Sequence, residues 1–272
     1  MKINNNFSVI LPIYNREDLY LYFDKVISNI YSNTIKPFEV IIVVDGAVSN
    51  KFKKKINILK KKFYYRTIYC LKRIGLSKAL NKAIKKSKTN WIIRADGDDF
   101  NKKNRFRYLI DELKKGYDLV GSDVAEYDSQ GKFLNYKIVP KSHKKITLFL
   151  KFRNPFNHMS VGFSKKKFIE CGGYPNLYLR EDYGLWAKMI SKKAKVKNIN
   201  KILVNVTAGN EMLKRRSGFK YIYAEFHLRK FLCELDVNSY LLSWIICTTR
   251  VILLNTPSIL KKMIYKLLRI FN

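Results

Sequence analysis

The chain has 272 residues, a length that suits one large domain or two closely packed ones, and its 47 % hydrophobic and 14 % aromatic content excludes a disordered chain despite the charge. The formal net charge is +33, from 54 Lys and Arg against 21 Asp and Glu, and predicts attraction to polyanions: nucleic acid, an anionic membrane or a phosphorylated substrate. Four cysteines with no Cys-x-x-Cys spacing and only three histidines disfavour a zinc site and suit a reducing compartment.

Residues 1–6 are polar, so no signal peptide is predicted. No run of about 18 uncharged apolar residues occurs, so no spanning helix is predicted either. A cytosolic protein, or one bound to the cytosolic face of a membrane, is expected. Much of the positive excess is lysine in short runs, at 53–55, 60–62 and 165–167, as on a solvated surface.

In chain order, residues 9–13 (Val-Ile-Leu-Pro-Ile) read as a buried strand ending at Tyr14-Asn15. Asn15, with Asp18 three residues on, marks a helix start, and Leu19, Phe23, Val26, Ile27 and Ile30 follow at helical spacing. Residues 38–44 are nearly all apolar and β-branched, the pattern of a strand buried on both faces of a parallel sheet, and they end at the turn Asp45-Gly46. A basic helix over 51–62 carries Phe52, Ile56 and Leu59 on one side, and 66–71 is a weaker strand. Ile74-Gly75-Leu76 leads into a helix with Leu76, Ala79, Leu80, Ala83 and Ile84 at helical spacing. Trp91, Ile92 and Ile93 then form a strand that stops at three acids, Asp96, Asp98 and Asp99.

Such alternation predicts a parallel, doubly wound sheet, in which ligands bind beyond the carboxyl ends of the strands. Tyr14-Asn15, Asp45-Gly46 and the three acids would then share one crevice. Clustered carboxylates repel one another and call for a cation, and hard oxygen donors suit Mg²⁺ or Mn²⁺. A metal at a strand end over a basic surface suits a nucleotide diphosphate, so the stretch reads as a nucleotide-sugar site. There is no Gly-x-Gly-x-x-Gly after the first strand and no P-loop. An EF-hand loop is excluded because its sixth and twelfth positions would be Asn101 and Arg107. The plain alternative is that Asp98 or Asp99 caps the next helix.

Arg105, Tyr108, Leu109 and Leu113 predict that helix, 119–124 a strand, and Asp128-Ser129-Gln130-Gly131 a hairpin-like turn. Residues 157–163 read as another strand, followed by a helix and Gly172-Gly173-Tyr174-Pro175. Glu181-Asp182 open an amphipathic helix with Leu185, Trp186, Met189 and Ile190; alone, such a pair meets the preference for negative charge at a helix N-terminus. Residues 241–254 are apolar but short and broken by Arg250. Beyond Pro257, residues 259–271 have the pattern of a basic amphipathic helix, lying in an anionic membrane surface or packed on the rest of the chain.

At this point the sequence resembles a family 2 glycosyltransferase. The matching residues are Val9-Ile10-Leu11-Pro12-Ile13-Tyr14-Asn15-Arg16-Glu17, Val43-Val44-Asp45-Gly46, Gly75-Leu76-Ser77-Lys78-Ala79-Leu80-Asn81, and Arg94-Ala95-Asp96-Gly97-Asp98-Asp99. Each falls at a predicted strand end, and the likeness runs on through Glu181-Asp182, covering roughly the first 210 residues. One departure is the second motif: many members carry two acids and then Gly-Ser, where this chain has Asp45-Gly46-Ala47-Val48.

The resemblance implies a GT-A fold, an α/β architecture with a Rossmann-like, mostly parallel central sheet flanked by helices. It divides the chain into a nucleotide-sugar half (1–100), an acceptor half (101–210) and a helical, basic C-terminal extension (211–272). It places Pro12 and Tyr14 in the base pocket, with Asp45 accepting from the uracil imide. Asp96 and Asp98 would lie by the ribose and diphosphate, Asp99, with Asp98, would ligate Mn²⁺ or Mg²⁺, and Arg73 and Lys78 are candidate phosphate contacts. Asp182 resembles the general base of an inverting transferase, with Glu181 and His158 on the acceptor side. The stretch 210–218, with Tyr221 and Glu225 after it, is similar to one that follows the catalytic domain in bacterial transferases building surface polysaccharides; its Arg215 and Arg216 are candidates to hold a diphosphate. The implied reaction takes a UDP-sugar to a lipid-linked saccharide in O-antigen or capsule assembly, at the inner face of the bacterial cytoplasmic membrane.

Two other readings compete. A nucleic-acid-binding protein would account for the charge, but no recognised module is visible and the acids would be unexplained, so no nucleic-acid partner is expected. A nucleotidyltransferase would want a glycine-rich basic signature after the first strand, where Pro12-Ile13-Tyr14-Asn15 stands.

Overall fold

The structure, a computed structural model, describes residues 6–208 and 219–255. Its first half alternates β1 (Phe7–Ile13), α1 (Glu17–Tyr31), β2 (Glu39–Asp45), α2 (Asn50–Lys62), β3 (Arg66–Cys70), α3 (Leu76–Lys85) and β4 (Trp91–Arg94). β2, β1 and β4 lie side by side in parallel, with Val9 opposite Val40 and Ile93 opposite Val9, and β3 extends the row beyond β2. The period of two in these strands feeds two cores. Val9, Leu11, Ile13, Val40, Ile42 and Val44 pack on one face with α1 and α2 and with Phe106, Leu109 and Ile110 from the second half. Ile10, Ile41 and Val43 pack on the other with α3. Both faces are covered, which is why these strands read as unbroken apolar runs.

The second half comprises β5 (Phe100–Asn101), α4 (Arg105–Lys114), β6 (Leu119–Tyr127), β7 (Phe133–Lys137), α5 (His143–Leu150), β8 (Gly162–Ser164), α6 (Lys165–Glu170), α7 (Glu181–Ser191), β9 (Val196–Thr207), α8 (Phe219–Glu234) and α9 (Tyr240–Asn255). It joins the same sheet, in the order β3-β2-β1-β4-β8-β6-β9-β5, with β7 paired to β6 outside that row. The pairing here is mixed: β8 runs antiparallel to β4 and β6, whereas β9 runs parallel to β6. α8 is integral to this body, since Leu228 and Leu232 belong to the core that holds Trp186 and Phe163.

Four local expectations change. The strand over 157–163 is instead a 3-10 turn at His158–Ser160 followed by the short β8. Asn157 donates to the Ser122 and Lys137 carbonyls and Ser160 Oγ to the Ser122 and Asn157 carbonyls, so side chains take up backbone groups that a strand would need. Helix α1 begins at Glu17 with Arg16, not Asn15, at its cap, and Asn15 instead accepts from the Ser49 amide. Neither Asp98 nor Asp99 caps α4, whose cap position is Asn104. Arg250 does not break the last apolar segment, because α9 runs through it with the guanidinium turned inward to Glu225. Among the described residues no helix is long and apolar enough to cross a membrane.

Candidate active site

The carboxyl ends of β1, β2 and β4 meet beside the loop leading into α3. Asp45, the buried last residue of β2, accepts the Ile74 amide at 2.7 Å on one oxygen and the Gly75 amide at 3.0 Å on the other. That brace fixes the 73–75 loop, and the exposed Arg73 places its guanidinium 4.6 Å from the Tyr14 ring centroid. Gly46, at φ 88°, permits the approach, since a Cβ there would stand 3.1 Å from the Arg73 amide nitrogen. Pro12 is half-buried in β1 opposite Val43, and Lys78 is exposed in the first turn of α3. Tyr14, Asp45 and Arg73 are thus gathered at one edge of the crevice.

After β4 the chain turns through Asp96, Asp98 and Asp99, each offering one carboxylate oxygen within 4.8 Å of the others. Two are answered by arginine: Asp96 pairs with Arg94, and Asp98 with Arg16. Asp99 is buried, forms no ion pair among the described residues, and accepts the Thr207 amide at 3.1 Å. Burial and the neighbouring Asp96 and Asp98 push its carboxyl well above the ordinary range. Burial and Asp96 also raise Asp98, against the pull of Arg16. Three hard oxygen donors, of which Asp99 alone has no cationic partner among the described residues, fit a divalent cation such as Mg²⁺ or Mn²⁺. Gly97 lets the turn lie on α1, because a Cβ there would be 2.8 Å from Leu19 Cδ2.

Arg94 links this cluster to the other side of the crevice. It is buried, and its charge acts on Asp96 and Asp99, on Tyr174, on Glu181 and on His158. Burial and Arg94 push the His158 imidazole well below its ordinary pKa, so the ring is neutral at pH 7, with Nε2 2.8 Å from the Tyr174 hydroxyl. Glu181 and Asp182 form the first turn of α7. Burial and the Asp182 carboxylate push Glu181 up to about 7. Asp182 Oδ2 accepts from Asn154 Nδ2 at 2.7 Å, and Oδ1 from the Tyr183 amide at 2.7 Å. Two acidic sets therefore stand in one electrostatic neighbourhood around one buried arginine.

Arg215 and Arg216, the 210–218 stretch and the helix expected over 259–271 lie outside the described residues. The structure adds partners that the sequence reading did not single out. Arg16 and Arg94 stood in the matching motifs without a role, and their placement beside an acid was their only signal. Thr207 and Asn154 gave none, since each meets its aspartate only through the fold.

The mixed sheet, with carboxylates at the ends of its parallel strands, is of the GT-A type that the resemblance implies, a fold it shares with solved structures. Among solved structures it is similar to a Staphylococcus aureus TarS fragment in complex with UDP-GlcNAc, with TM-score 0.63, 16 % identity and coverage of 83 % of this chain and 66 % of that one. It is also similar to the mannosyltransferase PcManGT from Pyrobaculum calidifontis in complex with GDP-Man and Mn²⁺, with TM-score 0.60, 14 % identity and coverage of 96 % and 84 %. Residues 8–173 match the family described as Glycosyl transferase family 2, and the chain belongs to that family of glycosyltransferases. The chain is 34 % identical over 263 residues, 96 % of this chain and 95 % of the relative, to the Escherichia coli UDP-Gal:alpha-D-GlcNAc-diphosphoundecaprenol beta-1,3-galactosyltransferase. It is 31 % identical over 237 residues, 86 % and 88 % of the two chains, to the amylovoran biosynthesis glycosyltransferase AmsE of Erwinia amylovora.

Proposed function

We propose that this chain is an inverting, metal-dependent glycosyltransferase that moves a sugar from a UDP-sugar to a saccharide carried on a polyprenyl diphosphate, in O-antigen or capsule assembly. The observation that carries this reading is the uneven neutralisation of the acid cluster: arginines answer Asp96 and Asp98 and leave buried Asp99 for a cation. The donor and acceptor classes follow those of the E. coli galactosyltransferase and of the TarS complex with UDP-GlcNAc.

In this reading Tyr14, Pro12 and Asp45 receive the uracil, each Asp45 oxygen keeping a lone pair beyond its amide partner. Arg73 and Lys78 face the phosphates, and Asp96 and Asp98 lie by the ribose and diphosphate. Asp99, with Asp98, would hold the Mg²⁺ or Mn²⁺, which when bound stabilises negative charge on the departing diphosphate. Asp182 takes the proton of the acceptor hydroxyl as that oxygen bonds to the anomeric carbon and the bond to the diphosphate breaks. Glu181 and neutral His158 orient the acceptor, and Arg215 and Arg216 hold its diphosphate. A place at the inner face of the cytoplasmic membrane is supported by α9, whose Leu241, Trp244 and Ile252 are 71 %, 67 % and 66 % exposed.

The test is a panel of UDP-sugars with Mn²⁺ or Mg²⁺ and a synthetic lipid-diphosphate GlcNAc or GalNAc acceptor. One pair should give a β-configured product from an α-linked donor. Asp182→Asn should lose about 10²-fold or more of transfer while still binding UDP, and Asp45→Ala should weaken UDP binding. Full transfer by both Asp99→Ala and Asp182→Ala would refute the assignment.

A further inference from the structure

Asp182 is held from two directions, and both lead to one residue far along the chain. The first runs through the chain before it. Leu179 sits at φ 57°, a strained conformation for a branched residue, and turns the chain into α7. Arg180, at the helix cap and buried, donates to Glu225 Oε2 at 3.1 Å and to the Tyr221 hydroxyl at 2.9 Å, with its guanidinium 4.1 Å from the Tyr221 ring centroid. The second runs through Asn154, which donates to Asp182. The carbonyls just before Asn154 are also held: Arg229 Nη1 donates to Lys151 O at 2.9 Å and Arg250 Nη2 to Phe152 O at 2.7 Å. Arg229 and Arg250 both pair with Glu225, at 2.7 Å and 3.2 Å.

Glu225 is 1 % exposed and answers three arginines from three elements: the start of α7, α8 itself and α9. Burial alone would raise its carboxyl; Arg250, Arg229 and Arg180 outweigh burial and hold it below the ordinary value. A buried charge with three partners is costly to disturb, because removing it leaves guanidinium groups facing one another out of water. The Glu225 cluster touches none of Tyr14, Asp45, Asp96, Asp98 or Asp99.

We propose that Glu225 is a positioning residue for the transfer step, acting through Arg180 and through the Asn154 loop to hold the Asp182 carboxylate at the acceptor hydroxyl. The proposal rests on the reading of Asp182 as the base. The C-terminal helices then do more than cover the core: α8 and α9 set the geometry of proton transfer, and the donor pocket is independent of them.

The test measures transfer kinetics, UDP binding by calorimetry and thermal unfolding for Glu225→Gln, Arg180→Met, Arg180→Lys and Asn154→Ala, with Asp182→Asn in parallel. In Glu225→Gln, kcat per UDP-binding site should fall about tenfold or more, as for a small misplacement of a reacting group, while the UDP-sugar KM and UDP affinity stay within about twofold. Arg180→Met should behave likewise, and Arg180→Lys should recover part of the loss. Because Glu225 acts partly through Asn154, the double variant Glu225→Gln/Asn154→Ala should lose less than the two single losses combined. Unchanged kcat in Glu225→Gln, or a loss of UDP binding in step with the loss of rate, would overturn the proposal. If Glu225→Gln does not fold, Arg180→Met against Arg180→Lys decides the same point. Wild-type transfer by Asp182→Asn would instead remove the reading of Asp182 as base, whatever Glu225 does.

Discussion

Asp99→Asn is expected to stabilise the metal-free protein and to abolish its response to metal. The carboxylate oxygens of Asp96, Asp98 and Asp99 lie within 4.8 Å of one another. At that distance, with an effective dielectric constant of about 20, a pair of unit charges repels by roughly 3 kcal/mol. Arg94 and Arg16 answer Asp96 and Asp98, so part of the repulsion on Asp99 is offset. An amide keeps the acceptor for the Thr207 N–H. A net gain of about 1 to 2 kcal/mol follows, or roughly 2 to 8 °C in Tm for a chain of this size. Mn²⁺ at about 100 times its Kd should raise the wild type by about 2.7 kcal/mol and the variant by much less, so the order of the two melting curves reverses. The assay is thermal unfolding by circular dichroism in EDTA and across a Mn²⁺ titration. A variant less stable than wild type in EDTA, or one that gains as much from Mn²⁺, would refute the reasoning.

Other consequences follow from single contacts. Glu181 titrates near 7 in the folded protein against about 4.3 unfolded, so the folded state holds the extra proton between these values and this contribution to stability is lost as pH rises through 7. Wild type should therefore lose Tm relative to Glu181→Gln between pH 5 and 8, and parallel curves would count against it. Gly97→Ala would force Leu19 Cδ2 away from 2.8 Å and should cost about 1 to 3 kcal/mol while weakening the Mn²⁺ response; an unchanged melt and titration would contradict the packing argument. Leu241→Glu with Ile252→Glu should reduce sedimentation with phosphatidylglycerol vesicles and leave UDP binding intact, whereas equal sedimentation would argue that α9 does not meet lipid. Removing residues 257–272 should shift the protein further towards the soluble fraction, and no shift would count against the helix expected there.

The half of the fold built from local rules was legible in the sequence. β1, β2 and β4 are buried on both faces and so read as apolar runs, and α1 to α4 show their periodic apolar stripes. β9 was not legible. Val-Lys-Asn-Ile-Asn-Lys-Ile-Leu-Val-Asn-Val-Thr has no clean alternation, and its identity as a strand comes from pairing along β6, some 77 positions away at the Leu119–Val196 pair. For the same reason Thr207 could not be foreseen beside Asp99, since 108 positions separate them. Arg250 read as an interruption because its partner, Glu225, stands 25 positions earlier. Local pattern cannot distinguish a charge that ends a helix from one that turns inward.

The placement of the basic residues separates the two meanings of the +33 charge. Among the described residues four arginines are buried, Arg94, Arg105, Arg180 and Arg229, and no lysine is. This division follows the chemistry: a guanidinium is less strongly hydrated than an ammonium and presents a planar fork of donors, so it can be placed inside against carboxylates and carbonyls. Arg105 shows the cost of such placement, being lowered to about 9 by burial and by Arg94: its terminal nitrogens donate to Asn101 Oδ1 and to the Arg94 carbonyl, while its buried Nε finds no partner. The lysines make a solvated field that attracts anions over the whole surface, which is a property of encounter. The arginines stand at specific acids, Arg16 and Arg94 at Asp98 and Asp96 after β4, and Arg180, Arg229 and Arg250 at Glu225 behind Asp182. Arg94 lies between the two acidic sets and acts on both, so it moderates the repulsion between carboxylates that must share one crevice. In the proposed reaction the acids after β4 hold a cation for the leaving diphosphate and Asp182 takes a proton, and buried arginines let this chain keep both acidic sets in one crevice.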